Sequence, residues 1–140
     1  MKRILVGVDG SPESRKAAEF AARLAKNTRS GLELAHVLHE IASELPRPGF
    51  TPHEERKERT DHAHLLLSEM SESVPLPLTP VDTSLLEGSP AHRLAQEARR
   101  DDIWLVVVGH RGRGSVQQAV LGSTANRLAQ ISPKPVVVVR

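Results

Sequence analysis

Residues 105–108, Leu-Val-Val-Val, lead directly into Gly109-His110-Arg111-Gly112-Arg113-Gly114-Ser115, and nine residues separate Gly112 from Gly122-Ser123-Thr124. A short apolar run bounded by glycine reads as a buried strand ending in a loop. The small-residue step at 122–124 reads as the start of a helix, with Ser123 suited to cap it. Glycines let main-chain N–H groups approach a ligand that any Cβ would hold away. A helix opening at Ser123 aims further N–H groups, and the positive end of its dipole, at an anion. The pattern suits a phosphate chain.

The same strand-then-helix rhythm fills the chain. Ile4–Val8 reads as a buried strand ended by Asp9-Gly10. Ser11 is placed to cap a helix with Pro12 at its first position, and Ala17, Phe20, Ala21, Leu24 and Ala25 repeat at helical spacing to about Thr28. Gly31 is expected to stop that helix before a second strand, 32–38. Residues 41–52 read as a loop. A helix follows over about 52–71, charged in its first half and carrying Ala63, Leu66, Leu67 and Met70 in its second. A third strand, about 78–85, is flanked and interrupted by Pro75, Pro77 and Pro80, which places it at a sheet edge. Ser89-Pro90 opens a helix with Ala91, Leu94, Ala95 and Ala98 on one face. Strand 103–108, helix 123–131 and strand 136–139 complete the alternation.

That alternation implies an α/β fold, a single open five-stranded parallel sheet with right-handed crossovers and helices on both faces. With the proline-rich strand at one edge, the order 3-2-1-4-5 fits. The winding then reverses between strands 1 and 4, and ligands bind above such a reversal, at the carboxyl ends of the strands. The loops meeting there are Asp9-Gly10-Ser11 and 109–115. Residues 1–140 read as one domain.

Composition removes several function classes. Lys and Arg number 19 against 17 Asp and Glu, and the charges are interleaved rather than gathered into a basic stripe, so no nucleic-acid partner is expected. Phe20, Phe50 and Trp104 are the only aromatic residues, too few for a base-stacking platform. The chain has no cysteine, which excludes disulfides and thiolate chemistry. The seven histidines show no metal-ligand spacing: His62 and His64 fall on different helix faces, and His53 and His62 lie on a charged, solvent-facing helix. No run approaches the ~20 apolar residues of a spanning helix, and the start of the chain turns too soon for a signal peptide. No membrane partner and a cytoplasmic location are the expectations.

The loop 109–114 has the glycine pair of a phosphate-loop ATPase, but Ser115 stands where that motif needs lysine, and no GxGxxG occurs. Gly109, Gly112, Gly122 and Ser123 do meet G-x2-G-x9-G-[ST] without a gap. With the opening Ile4-Leu5-Val6-Gly7-Val8-Asp9-Gly10-Ser11, the His36-Val37 strand end and the close Pro133-Lys134-Pro135-Val136-Val137-Val138-Val139-Arg140, the whole chain resembles the ATP-binding branch of the universal stress protein family. The resemblance implies a Rossmann-like fold of the adenine nucleotide alpha hydrolase type. It implies adenine near the end of strand 2 at Val37, ribose held by Asp9 beside Val8 and Gly109, and phosphates along Gly112, Gly114, Gly122, Ser123 and Thr124. Arg111 is a candidate phosphate partner, and Mg²⁺ would come bound through the phosphates. ATP is the expected cofactor, with AMP or another adenine nucleotide as alternatives.

Several roles stay open on the residues alone. Asp9 can hold ribose or simply make a turn and cap a helix. Arg111 and Arg113 can meet phosphate or solvent. At the level of function, a nucleotide-binding stress-response regulator, read by an unidentified protein partner, competes with a slow ATPase or a phosphate- or adenylyl-transferring enzyme. A nucleotide-independent assembly module is the third reading. The unguarded apolar edge Val136–Val139 is expected to pair with its twin in a homodimer, as the resemblance also implies.

Overall fold

The computed structural model describes residues 1–39, 47–74, 81–111 and 121–140. Strands β1 (Arg3–Gly7), β2 (Gly31–Leu38), β3 (Val81–Glu87), β4 (Ile103–Gly109) and β5 (Val136–Val139) alternate with helices α1 (Pro12–Thr28), α2 (Pro52–Ser73), α3 (Pro90–Glu97) and α4 (Ser123–Ile131). The sheet is parallel, in the order β3-β2-β1-β4-β5, so the winding reverses between β1 and β4 as the sequence predicts. Pro75, Pro77 and Pro80 lie outside the described residues. The third strand, expected over about 78–85, is described over 81–87, with 78–80 outside the described residues, and it occupies the expected edge.

Strand alternation sorts the core into two layers. Ile4, Val6, Leu32, Leu34 and Val107 pack under the alanine face of α1 and the Leu66–Met70 stripe of α2. Leu5, Ala35, Val106 and Val108 pack against Ala91 and Leu94 of α3 and Leu128 of α4 on the opposite side. Among the described residues no helix is long and apolar enough to cross a membrane.

Two local expectations need correction. Gly31 does not end α1: Arg29 does, in the left-handed conformation at φ 54°, its N–H turned back to Ala25 and Lys26 carbonyls. Gly31 is already the first residue of β2, where a Cβ would lie 3.2 Å from Cγ of Arg3. Nor does Ser123 cap α4. Gly122 holds the cap position, Ser123 is the first helical residue, and no side chain caps the helix.

Among the described residues one charge is buried inside this frame. Glu33, in the middle of the sheet on β2, has a side chain only 5% exposed. Arg100 meets it with two N–H groups, at 3.1 Å to Oε1 and 2.9 Å to Oε2, and Ser84 Oγ donates to Oε1 at 3.0 Å. Arg100 also reaches Asp102 and Glu97, while Arg3 pairs with Asp82. Paired this way the carboxylate is satisfied; without its partner it would be a costly buried charge.

Candidate functional site

The crevice at the carboxyl ends of β1, β2 and β4 is built first by the turn into α1. Asp9 Oδ1 accepts the Ser11 N–H at 2.9 Å, a side-chain turn, and Gly10 between them sits at φ 82°, a backbone state that favours glycine. Ser11 Oγ then accepts the Ser14 N–H at 3.1 Å, capping α1, and Ser14 Oγ donates back to the Ser11 carbonyl at 3.0 Å. The carboxylate of Asp9 is thereby presented at the crevice by a hydrogen-bonded turn. Both readings of Asp9 left open by the sequence are compatible here, since it makes the turn and lines the cleft.

On the other side of the reversal, β4 ends at Gly109. A Cβ there would lie 2.8 Å from the main-chain carbon of Glu13, 2.9 Å from its oxygen and 3.0 Å from its Cβ. The glycine is required by the close approach of α1 to β4. His110 then donates its N–H to Val139 at 2.7 Å, and its carbonyl accepts the N–H of Gly122 at 2.8 Å. Both ends of the segment 111–121 are thereby held at one residue, His110. Gly122 therefore spends its N–H on the clamp, while Ser123, Thr124 and Ala125 form the uncapped first turn of α4 at the cleft wall.

The cleft encloses about 340 Å³, within the ordinary range for small-molecule sites. It brings together seven of the residues singled out by sequence: Val8, Asp9, Val37, Gly109, Arg111, Ser123 and Thr124. Gly122 stands just behind the wall, and Gly112 and Gly114 lie outside the described residues. Arg111 bonds Glu13 Oε1 at 3.2 Å, so a carboxylate of α1 shares that cation.

Sequence reasoning missed a third wall. The inner stripe of α2, Arg59, His62, Ala63 and Leu66, faces the cleft beside β2. These positions are spaced i, i+3, i+4, i+7, one helix face. Its apolar half was visible in the sequence; its polar half read as solvent-facing. Arg59 Nη2 donates to the His39 carbonyl at 2.6 Å, tying the helix to the chain just past β2. His36, beside the expected Val37, was also missed. Its Nδ1 lies 2.7 Å from the Val8 carbonyl; a carbonyl only accepts, so Nδ1 carries the proton. Strand alternation, which sends neighbours to opposite faces, was the available signal.

Chemically the crevice offers one carboxylate for donors such as hydroxyls, an uncapped helix start for anions, and an apolar and planar wall at the β2 end. Comparison with known proteins shows the family and the fold. The sequence model of the universal stress protein family matches residues 1–140. Universal stress protein YxiE of Bacillus subtilis is 31% identical over 99% of this chain and 98% of its own length. Among solved structures, universal stress protein UspA from Lactobacillus plantarum aligns over 99% of this chain and 97% of its own, with a TM-score of 0.75 and 24% identity. A universal stress protein in complex with cAMP aligns over the same shares with a TM-score of 0.72 and 22% identity. The Archaeoglobus fulgidus protein in complex with dAMP covers all of this chain and 98% of its own, with a TM-score of 0.67 and 21% identity.

Proposed function

We propose, from the premise that this chain belongs to the universal stress protein family, that its crevice binds an adenine nucleotide, with ATP the favoured ligand, and that occupancy serves a regulatory role in a stress response. One observation carries the reading: Asp9 and the uncapped start of α4 line a single cleft at the point where the sheet reverses its winding. Ribose hydroxyls are donors suited to Asp9. Phosphate oxygens are acceptors suited to the N–H groups and hydroxyls of Ser123 and Thr124. Relatives of the same fold described with cAMP and dAMP support the adenosine half of the assignment. The glycine-marked segment with Gly112 and Gly114 adds the triphosphate half. Among the described residues no three His, Asp or Glu side chains gather to hold a metal ion, so Mg²⁺ would enter on the phosphates of the nucleotide.

Asp9→Asn tests the assignment directly. The amide oxygen still accepts the Ser11 N–H, so the turn survives while the charge is lost. Calorimetric titration is expected to show ATP affinity lower by roughly tenfold or more, because a hydrogen bond to a charged group contributes about 1.5–3 kcal/mol. Unchanged affinity would remove Asp9 from the site. The regulatory reading is preferred to an enzyme because Ser115 stands where a phosphate-loop lysine would neutralise the leaving oxygens. Multiple turnovers per minute with ATP and Mg²⁺ would favour the enzyme.

The same reading includes a homodimer paired through β5. Its four valines are each only part-covered, and among the described residues the strand pairs with β4 alone, on one edge. Light scattering at micromolar concentration is expected to give twice the 15.3 kDa chain mass; a monomer would refute it.

A further inference from the structure

A ligand lying along this crevice has its anionic end at α4, beside β4, and its other end at β2 and α2, because the strands stand in the order β2-β1-β4. If that ligand is an adenine nucleotide, as proposed above, its base meets the α2 stripe. A purine face seeks a planar partner, and rings of Phe or Trp are the usual ones. None of the three such residues lines the cleft. Trp104 bonds Ser30 through its indole N–H, Phe50 lies 4.1 Å beneath the Arg47 guanidinium, and Phe20 packs on the core.

Two imidazoles line that end, His36, whose Nδ1 is bonded to the Val8 carbonyl, and the exposed His62; beside them the cleft supplies the guanidinium of Arg59, half-buried and held in place by its 2.6 Å bond to the His39 carbonyl. Among the described residues, the acids of α2 and β3 on this side pair with other arginines. Glu55 and Glu58 pair with Arg47, and Glu87 pairs with Arg56. Ala63 and Leu66, one and two turns further along the same face, are buried and give the wall an apolar continuation. We propose that Arg59 is the base-stacking residue of this site, laying its guanidinium plane on the purine and making the α2 wall, rather than a phenyl or indole ring, the element that recognises the base.

A guanidinium is planar and weakly hydrated, so it stacks on π faces in a way that the ammonium of lysine does not. The discriminating experiment titrates ATP and inorganic triphosphate into the wild-type chain, Arg59→Ala and Arg59→Lys, with thermal melting to check the fold. Expected results are ATP affinity reduced about fivefold to tenfold in Arg59→Ala, triphosphate affinity unchanged, and less than half of the loss recovered by Arg59→Lys. The proposal is overturned if Arg59→Ala binds ATP as the wild type does. It is equally overturned if triphosphate weakens as much as ATP, or if lysine restores full affinity, since either makes Arg59 an anion partner. A wild type that binds no ATP overturns the nucleotide reading itself, and this proposal with it.

Discussion

Arg100→Ala is expected to lower folding stability by about 3 kcal/mol, the low end of the cost of leaving a buried ion without its partner. Glu33 stays in the middle of the sheet, and after the substitution, among the described residues, Ser84, at 3.0 Å, and Arg3, at 3.8 Å, are left to attend it. The melting temperature should fall by roughly 10 °C for a chain of this size. The control is the double variant Glu33→Leu, Arg100→Leu. Removing both charges removes the orphaned ion, so its cost should be smaller than that of the single change; a larger cost would refute the burial argument.

The same arginine shapes the acid limb of stability. Hydrogen bonds from Arg100, aided by its charge and that of Arg3, hold the Asp102 carboxyl below its ordinary value of 3.8, against a weaker opposing effect of burial. A carboxylate whose folded pKa is depressed contributes stability that is present above the unfolded pKa and lost as pH falls through the folded one. In Arg100→Ala the largest part of this contribution is gone, leaving the main-chain hydrogen bond and the charge of Arg3, so stability should depend less steeply on pH below about 4.

Gly109→Ala is expected to destabilise by about 3 kcal/mol, the upper end for an overpacked site. The added methyl meets main-chain atoms of Glu13 at 2.8 and 2.9 Å, and main chain cannot step aside as a flexible side chain can. Relief requires the start of α1 to move, and with it the turn that presents Asp9. Loss of ATP affinity should therefore accompany the fall in melting temperature. A variant that melts normally would mean that α1 and β4 can separate at no cost.

Much of this was legible in the sequence. Leu-Val-Val-Val before a glycine, Ser11-Pro12 before an alanine stripe, and four valines at the close are local signals, and local chemistry carried them into the structure. The order of strands followed from the prolines before β3 and from the handedness of crossovers. What could not be read depends on residues far apart in the chain. Glu33 sat in an otherwise apolar run, and its partner lies 67 residues away. Gly109 read as a ligand-facing glycine because the sequence does not say that Glu13 packs on it. Arg59 and His62 looked like a solvated helix face, since nothing in a run of charges tells which turn of a helix overhangs the end of a strand. Arg29 in a left-handed state was unreadable for a similar reason: glycine two positions later offered the more familiar stop.

The two hydrogen bonds of His110 give the segment 111–121 a common anchor for its beginning and its end. The entropy of bringing those ends together is met when the sheet forms, not when a ligand arrives. Doubling the intervening length would then add only about 0.6 kcal/mol. A longer or shorter version of this stretch would then leave the strands and helices in their places.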